Sequence, residues 1–174
     1  PFVDLGFAPP SNAYLNKEQL DAPELTFPLR VLVCQNCWLV QTKDFARADE
    51  LFDAEYAYFS STSKGWLDHA KRFAEMVIER FKLNTQSKVV EIASNDGYLL
   101  RSFVDAKIPC LGVEPTTSTS IAAEKLGIPQ CRAFFGESLA KDLRDQGHAA
   151  DLMIANNVLA HVPDINDFWR GVKT

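Results

Sequence analysis

The sequence predicts an α/β fold: a parallel, doubly wound sheet preceded by a small, mainly β segment. Three observations predict it. Apolar runs near 89–92, 110–113, 130–135 and 151–158 read as strands, and stretches of helical spacing separate them. The stretch Lys88-Val-Val-Glu-Ile-Ala-Ser-Asn-Asp-Gly-Tyr-Leu-Leu100 passes from a doubly buried strand through a turn into a helix. Prolines 9, 10, 23 and 28 punctuate the first segment and exclude long helices there.

With 174 residues the chain makes one domain, or one domain and a small appendage, and the division is placed at 1–60 and 61–174. An apolar fraction of 47% supplies a real core. A net charge of −5 argues against a nucleic-acid groove, which needs a basic face. No apolar run reaches membrane-spanning length and no signal peptide is visible, so a cytoplasmic protein is expected. The start at Pro1 rather than Met leaves room for a preceding segment.

In chain order, Arg30–Cys34 reads as a strand and Trp38–Thr42 as its return, with Cys34-Gln-Asn-Cys37 as the knuckle between them. A redox Cys-x-x-Cys opens a helix instead, whereas β-prone residues follow this one. A tetrahedral zinc site needs four ligands, and Cys34 and Cys37 supply two. Half a zinc site and a plain pair of reduced cysteines both remain open. Cys110 and Cys131 sit in apolar strands and behave as small hydrophobes. The stretch 55–61 is rich in hydroxyl groups ahead of a long helix. It is either a loop with half-buried aromatics or a lid presenting Tyr56 or Tyr58 to a ligand.

Ser61–Ser63 offers caps for a helix whose stripe runs Leu67, Ala70, Ala74, Val77, Ile78 and Phe81. The first strand of the sheet follows, with Glu91 late in it and a single-glycine turn at Gly97. Neither the dinucleotide Gly-x-Gly-x-x-Gly nor a Walker motif is present, so the turn suits a ligand less anionic than pyrophosphate. Glu114 ends the second strand at a spacing suited to accepting hydrogen bonds from both ribose hydroxyls; a solvated strand-end acid is the alternative. A helix is expected at 120–126, a third strand at 130–135 and helices at 137–146 and 165–172. Phe134 and Phe135 end the third strand where an adenine could stack, or they pack in the core. Asn156, Asn157 and His161 emerge from the fourth strand at the same edge, where a histidine is placed to move a proton or to serve structure.

With these pieces in place, the chain resembles the S-adenosylmethionine-dependent sugar C-methyltransferases of deoxysugar biosynthesis. The segments that carry the resemblance are Pro28–Cys37 with Leu39-Val-Gln41, Tyr56–Ser61, Val90–Leu100, Gly112-Val-Glu-Pro115 and Asn156–Asp164. It implies a partial zinc-binding domain ahead of a Rossmann-like methyltransferase domain, and a nucleotide-linked keto-deoxysugar methylated at carbon through an enolate. It further implies S-adenosylmethionine at Glu91, Ala93, Asn95, Asp96, Gly97, Glu114, Phe135 and Asn156, with Tyr56 and His161 at the reaction centre. Cys34 and Cys37 match two of four zinc ligands. The first Cys-x-x-Cys, the last strands of the sheet and a third domain of that family have no counterpart here, so the piece alone is expected to be inactive. Two other readings stand beside this one: a methyltransferase of another small acceptor, and a non-catalytic nucleoside-binding module.

Overall fold

The computed structural model describes residues 1–43, 45–54 and 56–174, which form two compact units, 1–52 and 53–174. The segment 53–60 therefore groups with the carboxyl-terminal unit.

The first unit is a three-stranded antiparallel sheet, β1 (Val3–Ala8), β2 (Phe27–Val33) and β3 (Val40–Thr42), in the order β1-β2-β3. Strand β1 was not expected from the sequence. It pairs Val3 with Val31 and Ala8 with Phe27 across a bulge that contains Gly6. The knuckle between β2 and β3 is as anticipated, with Cys34 N donating to Leu39 O at 2.9 Å and Trp38 N to Cys34 O at 3.0 Å. Trp38 closes it in the left-handed region at φ +63°. No described residue of 1–52 is buried, so this sheet has no apolar core of its own. A four-residue helix, α1 (Ala48–Leu51), ends the unit.

The second unit opens with α2 (Lys64–Phe81), capped by the Ser63 hydroxyl at Trp66 N (3.3 Å) and ended by Lys82 in the left-handed region. Of its predicted stripe, Ala70, Ala74 and Val77 are buried, whereas Phe81 in the last turn is exposed. Then come β4 (Val89–Ile92), α3 (Leu100–Asp105), β5 (Cys110–Val113), α4 (Thr117–Lys125), β6 (Gln130–Cys131), α5 (Glu137–Asp145), β7 (Leu152–Ile154) and α6 (Ile165–Lys173). The four strands are parallel in the order β6-β5-β4-β7. The chain steps outward from β4 through β5 to β6 and then returns to place β7 on the other flank of β4, so the α/β, doubly wound expectation holds.

Alternation along β4 assigns the two faces. Val89 joins Ala70, Ala74, Val77, Leu99, Leu100, Phe103, Ala123 and Ile128 on the α2–α3–α4 side. Val90 joins Leu111, Val113 and Leu143 on the α5 side. Phe103, Leu99 and Leu100 have no exposed surface. Burial of each stabilises the fold by about 1.5–3 kcal/mol.

Three elements are shorter than the sequence suggests. Strand β6 stops at Cys131, because Ala133 N turns back to Cys131 O at 3.1 Å. Strand β7 stops at Ile154, and Asn157 adopts φ +52° as the chain bends away. Helix α3 starts at Leu100 after a non-helical turn rather than directly behind Gly97. Each is a boundary set by local turns, which apolar periodicity does not encode. Among the described residues, no helix is long and apolar enough to cross a membrane.

Candidate functional site

The carboxyl ends of β4, β5 and β7 meet at the point where the strand order reverses, the position at which open α/β sheets bind ligands. The turn after β4 is built from left-handed residues: Ala93 at φ +56°, Asn95 at +50° and Gly97 at +78°. This contorted backbone turns Asn95 N–H onto Glu114 Oε2 at 2.9 Å, which ties the β4 turn to the end of β5. Glu114 is 4% exposed and also accepts from Thr116 N (3.0 Å) and Thr116 Oγ1 (2.6 Å). The acid at the end of β5 and the bend after β4 thus lie side by side.

Glu91 is fully buried, and neither of its oxygens makes a hydrogen bond. The Tyr98 hydroxyl lies near it but outside hydrogen-bond geometry. Burial pushes the Glu91 carboxyl well above the ordinary carboxylate range, and the charges of Glu114 and Asp96 push the same way. Asp96, 4% exposed, accepts from Ser61 N at 3.0 Å through Oδ2 and leaves Oδ1 buried and unpaired. Three acidic side chains thus converge on one edge, held by backbone amides and a threonine hydroxyl, with three oxygens unpaired.

The raised Glu91 carboxyl makes stability depend on pH. The folded state holds a proton that the unfolded chain releases near the ordinary value of 4.5. Stability is therefore full below that pH and falls as pH rises toward the folded value. Glu91→Gln should remove this slope and be more stable than the parent at pH 8, with no gain at pH 4. Urea midpoints at the two pH values measure it, and parallel slopes for parent and variant would contradict it.

A Cβ at Gly97 would stand 2.4 Å from Ile128 Cδ1 and 3.1 Å from Ala123 Cβ, so on that side the glycine lets the turn close onto hydrocarbon from α4 and the segment after it. Gly112 in β5 serves a similar need, making room for Ser94 Oγ and its 3.0 Å bond to Gln130 Oε1. Ala93 is half-buried at the mouth of the turn. Phe135 is packed against Val90, Leu111, Val113 and Leu143 and lies edge-on to Phe168 at 5.4 Å; Phe134, 47% exposed, is the ring left at the surface.

Asn156, half-buried after β7, acts with Trp66 on the Tyr98 hydroxyl; both favour its ionised form, while burial and Glu91 outweigh them and raise it. No site signal in the sequence marks Trp66, and Tyr98 lies within the Val90–Leu100 segment without a role of its own. Their rings stand 5.9 Å apart. Tyr56 and Tyr58 lie on the strap that precedes α2, with ring centroids 6.5 Å apart; Glu55, which opens that strap, is outside the described residues. His161 ends a 3-10 turn, Leu159–His161, on the exposed loop leaving β7.

In the first unit, the amides of Cys37 and Asn36, together with the Cys37 thiol, lower the Cys34 thiol from its ordinary range. Amides turned onto a sulfur suit a thiolate ligand. Even so, two thiolates do not complete a tetrahedral site, and no group of three or more ligating side chains is assembled among the described residues.

Residues 1–52 match the family model described as "Putative zinc binding domain". Over 171 residues, 98% of its length, the chain is 29% identical to the C-methyltransferase NovU of Streptomyces niveus, and it spans 40% of that protein. The relationship anticipated from the motifs is borne out by these two matches. Among solved structures, the YcgJ protein of Bacillus subtilis aligns with TM-score 0.45 and 14% identity, over 60% of this chain and 44% of that one. A "putative s-adenosyl-l-methionine-dependent methyltransferase" of Methanococcus maripaludis aligns with TM-score 0.43 and 13% identity, over 69% and 60%.

Proposed function

We propose that this chain, a relative of a C-methyltransferase, carries the cofactor-binding part of an S-adenosylmethionine-dependent C-methyltransferase whose acceptor is a nucleotide-linked 4-keto-6-deoxy sugar. One observation carries the reading: Glu91, Asp96 and Glu114 converge at the reversal point of the sheet with unpaired buried oxygens. Such an edge fits a ligand that brings positive charge, and S-adenosylmethionine brings an ammonium and a sulfonium. Glu114 would hold the ribose, Asp96 and Glu91 the cationic portion, and Ala93 and Asn156 the walls; Phe134 supplies the exposed ring beside the position expected for Phe135.

When bound, S-adenosylmethionine supplies an electrophilic methyl group on a positively charged sulfur. The chain's residues do the rest. A ketone at C-4 acidifies the proton on C-3. His161 takes or shuttles that proton, and Tyr56 donates a hydrogen bond to the enolate oxygen as charge develops there. Cofactor and sugar held together lower the barrier through orientation. The match of residues 1–52 to a zinc binding family favours a metal at the Cys34–Cys37 knuckle. Two ligands do not hold it alone, and no step is assigned to it.

The test uses the full-length protein with methyl-labelled cofactor and a nucleotide-linked 4-keto-6-deoxyhexose, with calorimetry against S-adenosylhomocysteine. Label on carbon, and a drop of about 10²–10⁴-fold in kcat for His161→Ala at nearly unchanged cofactor affinity, is the expected outcome. Label on oxygen or nitrogen would assign another acceptor. Absence of any binding heat would remove the cofactor reading.

A further inference from the structure

The Asn95 side chain makes bonds that a cofactor-site wall does not require. Its Oδ1 accepts from Ser60 N at 2.8 Å, and its Nδ2 donates to Tyr58 O at 2.9 Å. Asp96 Oδ2 accepts from the next amide, Ser61 N, at 3.0 Å. From the other side, Ser118 Oγ in α4 donates to Tyr56 O at 2.9 Å and Ser118 N donates to Ala54 O at 3.0 Å. The strap that carries Tyr56 and Tyr58 is thus fastened through its backbone to the turn after β4 and to the first turn of α4. Asn95 is the central member, because its own N–H is the group bonded to Glu114 Oε2 at 2.9 Å. One 9%-exposed residue touches both the acid assigned to ribose and the strap of tyrosines.

We infer that Asn95 is a positioning residue that couples occupancy of the Glu114 edge to the placement of the tyrosine strap, so that the adenosyl ligand orders the strap before the acceptor engages it. This rests on the cofactor reading above. A ligand that competes for Glu114 changes the pull on the Asn95 amide, and the Asn95 side chain passes that change to Ser60 and Tyr58. Side-chain amides suit the role, since one group accepts and donates at once.

Asn95 stands at φ +50°, where alanine is strained, so Asn95→Gly removes the side chain while keeping the backbone. The measurement is amide hydrogen exchange of residues 56–62 in the full-length protein, with and without S-adenosylhomocysteine, whose affinity is read by calorimetry. In the parent, the ligand should slow exchange at Ser60 and Ser61 by about tenfold or more. In Asn95→Gly, basal exchange there should quicken about tenfold, and the ligand-dependent slowing should shrink to about threefold or less. Exchange is compared at saturating ligand for each protein, so that a change in affinity does not enter the readout. Asn95→Asp keeps the acceptor for Ser60 and loses the donor to Tyr58; it should fall between the two and carries the test if the glycine variant does not fold. A merely structural tether would leave the ligand-dependent slowing intact, and that result overturns the inference. No calorimetric binding by the parent would instead sink the cofactor reading itself.

Discussion

Gly97→Ala is expected to lower stability by about 2–5 kcal/mol. Two costs add. The left-handed φ of +78° penalises a side chain by about 1–2 kcal/mol. The added carbon at 2.4 Å from Ile128 Cδ1 and 3.1 Å from Ala123 Cβ costs about 1–3 kcal/mol more as overpacking. Ile128 is 1% exposed and Ala123 has no exposed surface, so any shift of the Ile128 methyl is made inside the core. For a chain of this length the expected drop in Tm is roughly 5–20 °C. A thermal melt within a degree or two of the parent would mean that the turn relaxes away from α4.

Glu114→Ala is expected to strike binding and stability together. It strips the acceptor from Asn95 N, Thr116 N and Thr116 Oγ1, all within 3.0 Å of the carboxylate. Buried donors without partners cost about 1–3 kcal/mol each; water entering the vacated space offsets part of this, leaving a net loss of about 2–4 kcal/mol. On the proposed cofactor reading, binding of S-adenosylhomocysteine should weaken by about 100-fold or more, since the proposed ribose acceptor and the turn bonded to it are both lost. Glu114→Gln separates the two effects. It keeps the shape and one acceptor oxygen, so most of the stability should survive while affinity still falls about tenfold or more. Calorimetry and chemical denaturation on the pair report each component, and an unchanged affinity in both variants would remove Glu114 from the site.

The two effects differ in how far they could be foreseen. The Glu114–turn juxtaposition was readable because strand-end acids and single-glycine turns have a fixed relation in wound sheets: parallel pairing brings consecutive carboxyl ends to one edge. The setting of Gly97 was not. The Cβ side of the glycine closes on Ile128 and Ala123, and only the docking of α4 and the segment after it brings those side chains there. Nor was the strap legible. Ser60 and Ser61 attract notice for their hydroxyls, yet they bind Asn95 and Asp96 through backbone amides, which every residue but proline carries.

Local sequence alone determined the alternation of strands and helices, most of the buried stripe of α2, the cysteine knuckle, and an acid late in β4 and another at the end of β5. Those features follow from periodicity and short-range turn chemistry, whose signals lie within a few neighbouring residues. Tertiary structure decided which of two phenylalanines enters the core, where β6 and β7 stop, and what occupies the space over Gly97. It also decided that Asn95 spends its amide on the backbone of residues far away in the chain. Those outcomes depend on packing volume and on hydrogen-bond partners brought together from distant positions, and no local pattern of residue types records which partner arrives.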